Sequence, residues 1–174
     1  MTKDELKQLV VDYAYGCGID PRIALAQIKR ESADYRPDVV YGPYVGGAGE
    51  RGMSQFTKGT WDRFGYGPHT NAYDPEYAMS AWCAYMAYLN GYFDGDMWSI
   101  LAGYNGGEGN VTNGTISEGA NRYASEILTQ ADAWPVSDIP AASGNPATNP
   151  QSTDWRTVGL AAALVLGLMF VFRR

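Results

Sequence analysis

In the stretch PRIALAQIKRES, residues 21–32, Ala24, Gln27, Ile28 and Glu31 recur at i, i+3, i+4 and i+7, so they share one helical face. Arg22, Lys29 and Arg30 take the outward face. A chain folded around this helix has to place a carboxylate at or beside its core. Loss of water there disfavours the charged form and raises the carboxyl pKa. A proton donor working near neutral pH needs that environment. The same pattern also suits a helix-end glutamate ion-paired at the rim of the core, because structural ion pairs perturb carboxyl groups too.

The flanking segments predict an all-α domain of six or so helices, with short β-like segments at most. Residues 3–15 form a first helix with Thr2 and Glu5 in capping-box register, a buried stripe of Leu6, Leu9, Val10 and Tyr13, and Gly16 and Gly18 at its end. This start reads as an amphipathic helix rather than a secretory leader. Asp20 and Pro21 supply the N-cap and first position of the second helix. Residues 36–56 hold five glycines and two prolines and keep neither period, which predicts a long loop or a small β-ribbon. Ordered loops of that length are commonly functional.

A short helix over 58–64 turns Trp61 and Phe64 inward, and GYGPHTNAY is a second loop. Asp74-Pro75-Glu76 starts a helix to about Asn90, ended by Gly91, with Tyr77, Ala78, Ala81, Trp82, Tyr85, Met86 and Leu89 on a wide apolar face. Asp96 caps a further helix that stops at NGGEGN, where the glycines allow close backbone approach to a ligand. The last helix, about 118–132, presents Ala120, Tyr123, Ala124 and Ile127.

Charge and cysteine content narrow the chemistry. Residues 1–134 carry 10 Lys/Arg against 17 Asp/Glu, an acidic balance that disfavours a phosphate backbone as partner, so nucleic-acid binding is not expected. One histidine, His69, and two cysteines, Cys17 and Cys83, match neither a zinc spacing nor a Ser-His-Asp triad. No metal or cofactor is expected, although carboxylates are able to hold a hard cation. Two buried thiols are the favoured reading of the cysteines, with a disulfide as the alternative. The 13 tyrosines, 5 tryptophans and 21 glycines suit a carbohydrate or peptide surface as well as core packing.

From Pro135 to Asp154 the composition turns to Pro, Ser, Ala, Asn and Thr, which predicts a flexible linker. It leads to WRTVGLAAALVLGLMFVFRR, residues 155–174. Residues 157–172 are 16 residues without a charge. As a helix they span about 24 Å against a hydrocarbon core of about 30 Å. Trp155 and the flanking arginines can sit or snorkel at the interfaces. The segment reads as a C-terminal transmembrane anchor, with a buried core helix as the alternative. Arg173 and Arg174 favour a cytoplasmic C-terminus, which puts the domain of residues 1–134 on the opposite, periplasmic or wall-facing side, in a cell or a virion membrane.

Four separated segments, IALAQIKRES (23–32), GERGMSQF (49–56), ILAGYNGGEGNV (100–111) and NRYASEIL (121–128), occur in an order and spacing that resembles the goose-lysozyme-like soluble lytic transglycosylase family over about residues 5–130. Glu31-Ser32 is similar to the family's catalytic Glu-Ser pair. Gly49, Gly52 and Gln55 match its G-x-x-G-x-x-Q frame, with Met53 at the Leu position and Ser54 in place of the usual Met. Tyr104, Asn105, Gly107 and Gly109 match Y-N-x-G-x-G, although Gly103 replaces the usual Ala. Tyr123 is similar to the family tyrosine that hydrogen-bonds the catalytic carboxyl. Two departures stand out. The loop between Glu31 and Gly49 is longer than usual, and the family's serine near the catalytic Glu has no clear counterpart. In addition, Glu50 stands where the family commonly has Ala.

The resemblance implies a lysozyme-like fold and cleavage of peptidoglycan, with Glu31 catalytic and Met53, Gln55, Tyr104, Asn105, Tyr123 and Glu50 around the substrate. Cleaving a glycosidic bond requires an acid at the leaving oxygen, and ordinary glycosidases add a second carboxylate, which substrate-assisted enzymes omit. Three functions compete. A lytic transglycosylase would leave 1,6-anhydro ends; a muramidase of the same fold would use Glu50 as base and leave reducing ends; a non-catalytic wall-binding membrane protein would cut nothing. The anchored format implies local wall opening, either by a phage during genome delivery or by a bacterium remodelling its wall. Glu50 has a plain alternative role as ion-pair partner of Arg51 or Arg63, a contact of little energetic weight on a surface.

Overall fold

The computed structural model describes residues 1–143. Among the described residues there are eight α-helices, α1 (Lys3–Cys17), α2 (Pro21–Glu31), α3 (Pro37–Val40), α4 (Lys58–Phe64), α5 (Pro75–Tyr92), α6 (Met97–Gly106), α7 (Glu108–Thr112) and α8 (Glu118–Asp132), with 3-10 turns at His69–Tyr73 and Val136–Asp138. Among the described residues the sole β-like feature is an isolated antiparallel bridge between Arg51 and Phe56.

Local chemistry accounts for most helix ends. Thr2 accepts from the Glu5 N–H at 3.2 Å while Glu5 accepts from the Thr2 N–H at 2.6 Å, the reciprocal capping box. Asp20, Thr57, Asp74, Asp96 and Ser117 cap α2, α4, α5, α6 and α8 by the one-way bond, each side chain accepting from a backbone N–H of the first turn. Three expectations are corrected. Gly91 does not end α5, which runs on to Tyr92 because a single glycine in a well-packed helix costs only about 1 kcal/mol. The Pro-rich start of the first loop winds into α3, its proline at the first helical position. NGGEGN is the end of α6 and the start of α7 rather than an open loop, with Gly106 pressed against the Ala120 side chain on α8.

Two apolar clusters meet on α2. The larger gathers Leu9, Val10, Leu25, Ile28, Met79, Trp82, Met86 and Ile100 between α1, α2, α5 and α6. The smaller joins Ala26 to Leu101, Ala102, Tyr123, Ala124 and Ile127 from α6 and α8. Packed on α1 along one side and α8 along the other, α2 delivers its last residue, Glu31, to the junction of both layers.

The expectation of two free thiols is overturned: Cys17 and Cys83 form a disulfide with Cα atoms 5.8 Å apart, joining the last turn of α1 to the middle of α5. Packing of α1 on α5 creates that proximity, and nothing local in sequence announces it. Residues 135–143, expected as the start of a linker, lie along α1. There Gln8 donates to the Ala141 carbonyl at 2.9 Å and Asp12 accepts from the Ser143 N–H at 2.8 Å. The rest of the expected linker and the transmembrane segment at 155–174 lie outside the described residues. Among the described residues no helix is long and apolar enough to cross a membrane.

Candidate active site

Glu31 is the last residue of α2, and Ser32 stops the helix there. The Ser32 hydroxyl donates to the Ile28 carbonyl at 2.6 Å and accepts from the Tyr35 N–H at 2.8 Å, knotting the chain as it leaves. Ala33, Asp34 and Tyr35 follow with φ of 50°, 63° and 63°, left-handed values that side chains disfavour by roughly 1–2 kcal/mol each. This sharp exit opens the space beyond Glu31. A cleft of about 310 Å³ lies there, lined by Glu31, Tyr44, Gly46, Gly47, Glu50, Gln55, Phe56, Thr57, Thr60, Tyr85, Tyr104 and Asn105. Its aromatic rings and the many polar side chains beside them suit a sugar ligand.

Burial pushes the Glu31 carboxyl up to about 7. A hydrogen bond from Tyr123 and the Arg30 charge pull it down, and the Glu50 carboxylate adds to the rise. Tyr123 donates its hydroxyl to Glu31 Oε1 from α8. Arg30 is drawn away from the cleft: its guanidinium lies 5.0 Å from the centre of the Tyr123 ring and pairs with Glu126. Burial, with Glu31 close by, holds the Tyr104 and Tyr123 hydroxyls well above the ordinary tyrosine range, so both remain neutral donors.

The loop carrying Gln55 is built by a glycine. Gly52 has φ +71°, and a Cβ there would run into the Ala72 carbonyl. Gln55 is itself left-handed at φ 48°, and its Nε2 donates to the Gly52 carbonyl at 2.8 Å, which aims the carboxamide along the cleft wall. Tyr104 ties the opposite wall to this loop by donating to the Ser54 carbonyl at 2.7 Å. Asn105 follows on α6, exposed to the cleft, and its carboxamide makes no hydrogen bond among the described residues; the C-cap of α6 is Gly107.

Glu50 stands on the cleft lip with Oε2 accepting the Ala48 N–H at 2.8 Å. The ion pair expected with Arg51 or Arg63 is not formed: Arg63 pairs with Glu108 at 3.4 Å, and Arg51 lies against the Tyr73 ring. Five of the seven residues singled out from sequence therefore line one cleft: Glu31, Glu50, Gln55, Tyr104 and Asn105. Tyr123 reaches it only through Glu31. The Met53 side chain is fully buried in the larger apolar cluster and packs the loop rather than lining the cleft. A methionine between Gly52 and Ser54 carries no sign of which way it points.

The transglycosylase SLT domain model matches residues 8–127. The chain belongs to the transglycosylase SLT domain family. Among curated relatives, the peptidoglycan transglycosylase gp16 of Escherichia phage T7 is 35% identical over 98 residues, which cover 48% of this chain and 7% of that protein. The chain thus spans a small part of that relative's length. Two solved structures share the fold. An inactive mutant of the lytic transglycosylase Slt from Pseudomonas aeruginosa matches with a TM-score of 0.59 and 19% identity, over 70% of this chain and 22% of its own. The 70 kDa soluble lytic transglycosylase Slt70 from Escherichia coli matches with a TM-score of 0.59 and 23% identity, over 71% and 23%.

Sequence reasoning about this SLT domain missed Tyr44, Thr57 and Thr60 on the cleft wall and read Tyr85 as simply part of an apolar helical face. It also missed what stands behind Tyr123. Gln27 Nε2 donates to the Tyr123 hydroxyl at 3.1 Å, and Trp82 Nε1 donates to Gln27 Oε1 at 3.1 Å. The available signal was Gln27 itself, a polar residue on the apolar stripe one turn before Glu31.

Proposed function

We propose that this chain is a peptidoglycan lytic transglycosylase that cuts the β-1,4 bond between N-acetylmuramic acid and N-acetylglucosamine. The observation that carries the reading is Glu31, a carboxyl poised to hold its proton near neutral pH, oriented by Tyr123 and opening onto an aromatic-floored cleft. Membership of the SLT family supports the same chemistry.

Glu31 gives its proton to the glycosidic oxygen, and the C1–O bond breaks. The carbonyl oxygen of the 2-acetamido group closes on C1 and shares the positive charge, so no second protein carboxylate is required. Now ionised, Glu31 takes the proton from the C6 hydroxyl, and O6 displaces the acetamido oxygen at C1. The 1,6-anhydro ring forms without water, and Glu31 regains its proton. Gln55 and Asn105 hold the acetamido and peptide groups, while Tyr85 and Tyr104 sit under the sugar faces.

Mass spectrometry of murein digested by the protein tests this reading. Anhydro ends, lost in Glu31→Gln, support it; no cleavage overturns it. Reducing ends in their place would favour a hydrolytic muramidase with Glu50 as base. Glu50 gives that second reading its footing, since it lines the cleft and forms no ion pair among the described residues.

The reading extends to location. Residues 157–172, uncharged throughout, anchor the chain in a membrane, with the catalytic domain on the wall-facing side. A phage relative named as a peptidoglycan transglycosylase is in keeping with wall cleavage, and the setting we propose is local wall opening by a virion during genome delivery. Protease protection in vesicles checks the topology; digestion of the domain only when the cytoplasmic face is open would refute it.

A further inference from the structure

Gln27 is fully buried, one of three buried polar side chains among the described residues. A buried carboxamide in an apolar layer costs stability unless its hydrogen bonds are made. Its two partners settle which way it points. The Trp82 indole can only donate, so the Gln27 atom facing it at 3.1 Å is Oε1. That turns Nε2 toward Tyr123, whose hydroxyl oxygen accepts at 3.1 Å. With its oxygen occupied by that donor, the Tyr123 hydroxyl has one proton left, and it goes to Glu31.

We propose that Trp82 and Gln27 are positioning residues that hold the Tyr123 hydroxyl proton on Glu31 throughout the reaction. Without them the tyrosine hydroxyl is free to rotate and accept rather than donate. With them, one Glu31 oxygen is engaged in both protonation states, and the other is left to meet the glycosidic oxygen and then the C6 hydroxyl. Trp82 on α5, Gln27 and Glu31 on α2, and Tyr123 on α8 thus join three helices into one directed chain of donors. This inference rests on the catalytic reading of Glu31.

The other groups that face Glu31 are Arg30 on the same helix, Glu50 on the lip, and the Tyr104 and Tyr123 hydroxyls on α6 and α8, with Tyr85 of α5 on the cleft floor. None of them is altered in Gln27→Leu or Trp82→Phe. The donor from Tyr123 favours the ionised form of Glu31, so weakening it raises the pH at which Glu31 titrates.

The test uses the full chain and two readouts. In murein digestion, Gln27→Leu is expected to lower kcat about tenfold with KM unchanged, equivalent to losing one neutral hydrogen bond in the transition state. The alkaline limb of its pH profile should move upward. Trp82→Phe should move both quantities in the same direction. In a Tyr123→Phe background, Gln27→Leu should have no further effect on the limb. In parallel, NMR titration of the 13C-labelled Glu31 carboxyl should show the upward shift in each variant with no substrate present.

A Glu31 titration unmoved in both variants overturns the proposal, as does a loss confined to KM or to thermal stability, or effects of Gln27→Leu and Tyr123→Phe that simply multiply. Should the wild-type chain cut no murein, the catalytic reading falls, while the carboxyl titration still decides whether Trp82 and Gln27 act on Glu31. Trp82→Phe serves where Gln27→Leu fails to fold.

Discussion

Tyr123 donates its hydroxyl to Glu31 from a helix 92 residues further along the chain. The bond lies behind the carboxyl, away from the cleft, so it orients the acid while leaving the second oxygen exposed to substrate. Burial and this bond pull in opposite directions on the Glu31 proton, and burial prevails.

Activity should therefore depend on Glu31 being protonated at the start of each turnover. We expect kcat/KM to fall with rising pH through an inflection near 7, the value to which burial pushes the carboxyl. A pH–rate profile of murein digestion checks this, and an alkaline limb near 4.5, the ordinary carboxyl value, would contradict it.

Replacing Glu31 with Gln should lower cleavage by at least about 100-fold and leave the fold intact. It should also change how stability depends on pH. Folding raises the Glu31 pKa from about 4.5 to about 7, so the folded chain binds more protons than the unfolded one between those values. That contribution is full below about 4.5 and is lost as pH rises through 7, up to about 3 kcal/mol. Thermal melts at pH 5 and pH 8 should show the wild type losing more stability than Glu31→Gln.

Tyr123→Phe removes the donor to Glu31 and strands the Gln27 N–H in the core. A stability loss of about 1–3 kcal/mol is expected, with kcat falling at least about tenfold and the alkaline limb moving up. Melting curves and pH profiles separate these effects; a limb that moves down would contradict the role assigned to the hydroxyl.

Gly52→Ala should destabilise by several kcal/mol, because its Cβ would collide with the Ala72 carbonyl and because φ is +71°. Gln55 and Ser54 ride on the same turn, so substrate affinity should fall along with the melting temperature. Calorimetry and murein-binding measurements check the pair; an unchanged melting temperature would mean that the turn relaxes freely.

Reduction of the Cys17–Cys83 bond, or Cys17→Ser with Cys83→Ser, should lower stability by about 4 kcal/mol for a loop closed across a separation of 66 residues. Neither cysteine lines the cleft, and Cys83 turns to α1 while its neighbour Trp82 faces Gln27, so kcat should change little below the melting temperature.

The sequence by itself determined what local chemistry can encode. Caps at Thr2, Asp20, Asp74 and Asp96 and the apolar stripes along the chain placed the long helices within a few residues, and Glu31 stood out because it broke a stripe. The ordered segments around Glu31, Gln55, Tyr104 and Tyr123 named the residues of the cleft and pointed to the family. Only the tertiary structure decided the relationships between distant residues. Cys17 meets Cys83 because α1 packs on α5; Met53 turns inward because Gly52 folds against Ala72; and Glu50 is left without the ion pair expected of it because Arg63 finds Glu108. Gln27 belongs to both accounts. Its place on the helical face was legible in the sequence, but a hydrogen bond needs both partners, and Trp82 and Tyr123 reach it only when three helices pack.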